Sequence, residues 1–340
     1  MLSRRRAVMS LLAFSLAPCA VPPSLAKAAG LKILAATYPA WLLAREVAGS
    51  VPGIGIDLLV QAQAGCPHDY MLAPRDLMKI GSAGVLVAVG KGFEPFLQDV
   101  AREFPKLPVL ELGAGVPRLE LDPAVPEEED GHEVHAHGHG HEHEGEHGHG
   151  HGHGHGHGHD HHHDFAATGN PHCFASPVQA AVMARACAEG LAKLVPEQAE
   201  ALQAGGSRAA ECFEALGRKL AELGPLGHGV RFVLQHDALS WLFHDAGLEV
   251  AFVLQAEADA QPSASDVARL ARAMRDGKGR YVLVTEPQFP ARIVEMLVRE
   301  TGTPAIELDP LASGPASPEP GWYKKIMEKN IKTLRGVLGS

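Results

Sequence analysis

Val85-Leu86-Val87-Ala88-Val89, followed by Val109-Leu110-Glu111-Leu112, is the stretch that decides the fold. The pair returns as Val282-Leu283-Val284-Thr285-Glu286 followed by Ala305-Ile306-Glu307-Leu308. A repeat of such long period describes two pseudo-equivalent lobes, not a solenoid. Outward from these runs, strands are expected at 32–36, 56–60, 85–89 and 108–111, and again at 231–235, 250–254, 281–285 and 304–307. Helical patterns lie between them, which predicts an α/β class: two lobes, each a mainly parallel four-stranded sheet with flanking helices. Helices are expected to start near Pro39, Pro74 and Glu94, proline being suited to a first turn. Ser263-Ala264-Ser265-Asp266 is a capping box opening another, and a last helix covers 323–338. A long helix over 196–224, rich in Ala, Leu, Glu and Gln, is expected to join the lobes rigidly, weakened around Gly205-Gly206.

The chain of 340 residues, 46% hydrophobic, has room for two such lobes. Its net charge of −10 is local: 127–164 carries ten acidic side chains and no Lys or Arg, and the remainder balances. Nothing outside that stretch argues for nucleic acid as a partner. Arg4-Arg5-Arg6 before an apolar run from Ala7 to Val21, then Ser24-Leu25-Ala26, has the layout of a secretory signal over 1–26. Ser3-Arg4-Arg5 is compatible with a twin-arginine route. Leu16-Ala17-Pro18-Cys19 distantly resembles a lipoprotein box, with Pro18 against it. The expected organisation is a signal over 1–26, a first lobe over 27–195, the joining helix over 196–224 and a second lobe over 225–340. The protein is expected to be exported to the periplasm.

Histidine is as concentrated as the acid. Sixteen of 21 lie in one segment: His132, His135, His137, His139, His141, His143, His147, His149, His151, His153, His155, His157, His159, His161, His162 and His163. With almost no apolar content this acidic segment, 127–164, cannot offset the entropy of ordering and is expected to be a disordered loop. Its imidazoles are expected to form many weak, interchangeable metal sites, an inert solvated linker being the alternative. Outside it, His68 follows the second strand, His172 precedes a helix, and His236 ends the first strand of the second lobe. Ligands of open α/β sheets gather at the carboxyl ends of strands, so these three would meet in the cleft between lobes. Asp309, at the end of the last strand, is a candidate fourth ligand. Three imidazoles plus a carboxylate or water suit Zn²⁺. His228 and His244 read as structural. Absence of a His-Glu-x-x-His signature or an assigned general base argues against a zinc hydrolase, so no enzyme is expected.

Several motifs, in order from about Leu31 to the carboxyl end, resemble the ZnuA-type (cluster A-I) solute-binding family. They are Gly65-Cys66-Pro67-His68-Asp69-Tyr70, Asn170-Pro171-His172, Gln235-His236-Asp237-Ala238, Thr285-Glu286-Pro287-Gln288-Phe289 and Leu308-Asp309-Pro310-Leu311. The acidic His-rich loop is part of the resemblance. It implies a protein that takes Zn²⁺, as transported ligand, at residues matching His68, His172 and His236. Delivery to an inner-membrane ABC permease driven by a cytoplasmic ATPase is also implied, the loop collecting or sensing metal. A monomer is expected, and a periplasmic zinc buffer or metallochaperone without a permease is the alternative. His236, where manganese-preferring relatives carry a carboxylate, favours zinc, and Thr285-Glu286-Pro287 is expected to shape the cleft wall. Pro67 stands where some relatives place a glutamate, and no cysteine follows Cys212. Cys66 and Cys173 flank two expected ligands, so either they pair as a disulfide or one, Cys66 foremost, completes the metal site. Two unrelated buried thiols are the other reading.

Overall fold

The computed structural model describes residues 30–63, 67, 70–119, 169–255, 262–276 and 279–339. All eight expected strands are present, each within two residues of its expected bounds. In the first lobe they are β1 (Lys32–Ala35), β2 (Gly55–Leu58), β3 (Val85–Ala88) and β4 (Val109–Glu111), ordered β2-β1-β3-β4. The second lobe repeats this with β5 (Val230–His236), β6 (Glu249–Gln255), β7 (Arg280–Thr285) and β8 (Ala305–Glu307), ordered β6-β5-β7-β8. Every pairing is parallel, with Ile33 opposite Val85 and Phe232 opposite Val282 in the central pairs. The duplication visible in the sequence is therefore a duplication of topology. β3 is buried throughout, which is why its sequence shows no polar alternation.

Helices supply the crossovers: α1 (Tyr38–Ala48), α2 (Pro74–Gly81) and α3 (Leu97–Glu103) in the first lobe. α4 (Pro177–Leu194) and α5 (Ala199–Ala221) follow as a pair, then α6 (Ser240–Ala246), α7 (Ala264–Arg275), α8 (Arg292–Thr301) and α9 (Trp322–Leu338). α7 is capped as expected, Ser263 Oγ accepting the Asp266 N–H at 3.0 Å.

Three expectations are corrected. The third helix starts at Leu97, not near Glu94, because the Glu94 carboxylate turns inward to accept the N–H groups of Val89 and Gly90 and the Thr37 hydroxyl. The joining helix is shorter than 196–224, entering through a 3₁₀ turn at Pro196–Gln198. Nor do its glycines weaken it. A Cβ on Gly205 would lie 2.0 Å from the Val47 carbonyl oxygen of α1, and one on Gly206 2.4 Å from Ala188 Cβ of α4. Both are sites of close helix approach.

One buried cluster runs through Leu43, Val87, Ala184, Phe213, Trp241, Val284 and Tyr323, so the inner faces of both sheets share a core with the α4–α5 pair. Smaller clusters close the outer faces, Ile80 and Val100 over the first sheet, Leu270 and Leu297 over the second. Residues 309–321, between β8 and α9, strap across to the first lobe. There Gly314 N–H donates to the Ala62 carbonyl at 2.9 Å and the Tyr38 hydroxyl to that of Pro315 at 3.3 Å. Among the described residues, no helix is long and apolar enough to cross a membrane.

Candidate metal centre

Two of the three expected histidines are brought together. His236 closes β5, and its burial (1% exposed) follows from a strand central in its sheet. His172 sits where the chain turns into the 3₁₀ segment Cys173–Ala175 and then α4, whose N-cap Ser176 accepts the Val178 N–H. The two rings lie 5.2 Å apart between centres, at 84°. Two imidazoles on one tetrahedral zinc, with metal–nitrogen distances of about 2.0–2.1 Å, have ring centres about 5 Å apart. Phe93 and Phe174 stand edge-on to His172, with ring centres at 5.5 and 6.0 Å. Phe289 lies against His236 at 5.0 Å.

The polar surroundings of the pair are unusual for a buried site. Glu286, at the carboxyl end of β7, points Oε1 to within 3.6 Å of His236 Nδ1, with both side chains 1% exposed. Among the described residues, neither Glu286 oxygen and neither His236 nitrogen has a hydrogen-bond partner. Each such atom costs roughly 1–3 kcal/mol if left unpaired. Burial pushes the Glu286 carboxyl above its ordinary range, while His236 pulls it back. Burial likewise raises Asp237, against hydrogen bonds from Ser240 and Asn170. An apolar pocket holding orphaned nitrogens and carboxylate oxygens is an environment a divalent cation would satisfy.

The remaining expected site residues fall as follows. His68 and Cys66 lie outside the described residues, as does all of 127–164 with its sixteen histidines. Among the described residues, no three His, Cys, Asp or Glu side chains are placed together to hold a metal ion. The charge of Asp309 reaches Glu286; its Oδ1 accepts the Leu311 N–H at 2.8 Å and Gln288 Nε2 at 3.2 Å, and its backbone is clasped on both sides by Asn330. Burial raises its carboxyl. Cys173 is a free thiol 3.7 Å from Met183 Sδ, and burial pushes it to about 12, far from the thiolate that metal coordination requires. His244 is on α6, exposed beside Asp245.

The orphaned carboxylate of Glu286 is the feature that sequence reasoning placed only in the cleft wall. A signal for it existed: in the repeat, Glu286 occupies the position of Val89, a charged residue where the other lobe ends its buried strand on an apolar one.

The sequence matches the family described as zinc-uptake complex component A, periplasmic (ZnuA), over residues 33–337. The chain belongs to this family. Its curated relatives include the zinc-binding lipoprotein AdcA of Streptococcus pneumoniae serotype 4, 27% identical over 90% of this chain and 55% of that protein. The high-affinity zinc uptake system protein ZnuA of Brucella abortus is 29% identical, over 86% of this chain and 88% of its own. This ZnuA-family chain thus spans about half the length of the AdcA relatives it matches. Among solved structures, the SBP FpvC of Pseudomonas aeruginosa in complex with Mn²⁺ superposes with a TM-score of 0.69 at 23% identity, covering 91% of this chain and 99% of that one. A crystal structure of ZnuA gives 0.65 at 18% identity, over 90% and 98%. These likenesses establish the two-lobed fold.

Proposed function

We propose that this chain is the zinc-capturing solute-binding component of an ABC import system, working outside the cytoplasmic membrane. The observation that supports it most is the buried, orphaned His236, facing His172 from the other lobe at the carboxyl ends of the strands. Zinc is the cargo, held by His68, His172 and His236, and Glu286 supplies negative charge beside it. Three neutral imidazoles leave the full charge of the ion in a buried site, and a nearby carboxylate offsets part of it. The fourth position goes to Asp309 or to water, which zinc affinity of an Asp309→Asn variant separates. The zinc-binding names of the AdcA and ZnuA relatives, and the periplasmic description of the family, support this reading. The loaded form then docks on a permease, and the histidines of 127–164 gather metal at weaker sites. The fold and the family's role as a binding component argue for transport without catalysis.

Calorimetric zinc titration of the full chain, of His68→Ala and of His236→Ala tests the site. One tight event above a background of weak ones is expected in the wild type, and loss of that event alone in both variants. Retention of tight binding in both would move the metal elsewhere and sink the reading. Zinc-limited growth of a strain lacking the protein tests delivery, with unchanged uptake pointing to a buffer.

A further inference from the structure

Asn170 bonds through both ends of its side-chain amide and through its backbone carbonyl, and two of these bonds cross the boundary between lobes. Its Oδ1 accepts the His172 backbone N–H at 2.8 Å and faces His172 Nδ1 at 3.2 Å. Its Nδ2 donates to the Asp237 carbonyl oxygen at 2.8 Å, and its own carbonyl accepts Trp241 Nε1 at 3.0 Å. The side chain is buried, 7% exposed. The bond to Asp237 settles which end of the amide is which, because a carbonyl oxygen can only be met by the NH₂. The end facing His172 is then oxygen, which has no proton to give. In the neutral imidazole Nδ1 then carries the proton and Nε2 the lone pair. Asp237 directly follows His236 and opens the 3₁₀ turn Asp237–Leu239. A single amide therefore grips the imidazole contributed by the first lobe and the backbone beside the imidazole contributed by the second.

We propose that Asn170 is the positioning residue of metal capture: it holds His172 as the Nδ1–H tautomer and ties it across the cleft to the His236 turn, so that both imidazoles address one ion. The inference rests on the metal-binding reading above and deepens it. Metal-ligating histidines generally need an acceptor on the other ring nitrogen, and losing it typically costs 10–100-fold in affinity. Here the acceptor is a neutral amide, chosen for a donor end that a carboxylate would lack.

The test reads the tautomer directly, in metal-free full-length protein at pH 8, by long-range ¹H–¹⁵N correlation, with His172 assigned through its loss in His172→Gln. The wild type is expected to show Nδ1–H. Asn170→Ala is expected to revert to Nε2–H and to lose 10–100-fold in zinc affinity by chelator competition. Asn170→Asp, which keeps the acceptor but cannot donate to the Asp237 carbonyl, should retain the Nδ1–H tautomer while binding zinc more weakly than wild type. That pattern separates positioning from a general loss of fold, since a misfolded protein would not keep the tautomer. An Nε2–H tautomer in the wild type overturns the proposal, and so does an Asn170→Ala protein within twofold of wild-type affinity. The tautomer measurement needs no metal, so failure of the metal reading itself shows separately, in the His236→Ala titration.

Discussion

Glu94 shows how much one side chain can commit in this fold. It is fully enclosed, and its carboxylate meets the Thr37 hydroxyl at 2.6 Å, the Val89 N–H at 3.0 Å and the Gly90 N–H at 2.9 Å. These bonds tie the turn after β1 to the loop after β3, where Gly90, Lys91 and Gly92 all have positive φ and Phe93 reaches His172. Burial outweighs the three donors and pushes its pKa from 4.5 to about 7. The native state thus holds a proton that the unfolded chain releases above pH 4.5, so this group's contribution to stability is best at low pH and falls as pH rises to about 7. Between pH 5 and 8 the fall is about 2 kcal/mol, at 1.36 kcal/mol per pKa unit. Glu94→Gln, neutral throughout, should lack it. Urea denaturation of both proteins at pH 5 and 8 is the check, and parallel pH slopes would refute the assignment. The same scale shows where sequence reading stops. His172, before a helix, and His236, at a strand end, were legible as candidate ligands, but the orphaned state of Glu286 and the tautomer set by Asn170 depend on burial and bond direction, which no residue spacing encodes.

Among elements, the strands were the most legible, because runs such as Val85-Leu86-Val87 and Val282-Leu283-Val284 are apolar without interruption and the topology buries both their faces. Helix α5 was less so. Gly205-Gly206 reads from composition as a weak point, since glycine costs a helix interior about 1 kcal/mol relative to alanine. Packing reverses that sign: the missing Cβ atoms admit the Val47 carbonyl of α1 and Ala188 of α4. Gly205→Ala is therefore expected to destabilise the protein by about 2 kcal/mol despite alanine's better propensity, because the obstructing atom is backbone and cannot step aside. Gly336 in α9, with nothing within 4 Å of its would-be Cβ, is the control. Gly336→Ala should stabilise by roughly 0.5–1 kcal/mol. Chemical denaturation midpoints of the two variants decide the matter, and a stabilising Gly205→Ala would show that α1 and α5 do not approach as described. The start of α3 at Leu97 teaches the same lesson, Glu94 having been withdrawn from the helix by bonds that only the fold brings within reach.

At the scale of the molecule, the sequence shows two lobes, while the structure shows that they are not independent. The buried cluster passes without a break from the first sheet through α4 and α5 to the second. Polar bonds cross with it: Asp245 of α6 accepts the Ser176 hydroxyl at 2.5 Å and Gln179 Nε2 at 2.9 Å at the start of α4. The Tyr323 hydroxyl of α9 donates to the Phe174 carbonyl at 2.9 Å, beside His172, and 309–321 returns to Ala62 and Tyr38. Separating the lobes would expose apolar core and strand these buried polar groups, so hinge opening of the kind seen where lobes share only a flexible linker is disfavoured. The lobes should consequently unfold together. Differential scanning calorimetry of the metal-free protein is expected to give one transition whose calorimetric and van't Hoff enthalpies agree. A ligand held only by the closed pair of lobes stabilises that whole unit by RT ln(1 + [L]/Kd), about 2.7 kcal/mol at a hundredfold excess over Kd, so zinc should move the single transition upward without splitting it. Two transitions, only one of them shifted by zinc, would mean that the lobes fold separately and that His172 and His236 are not joined by a common core.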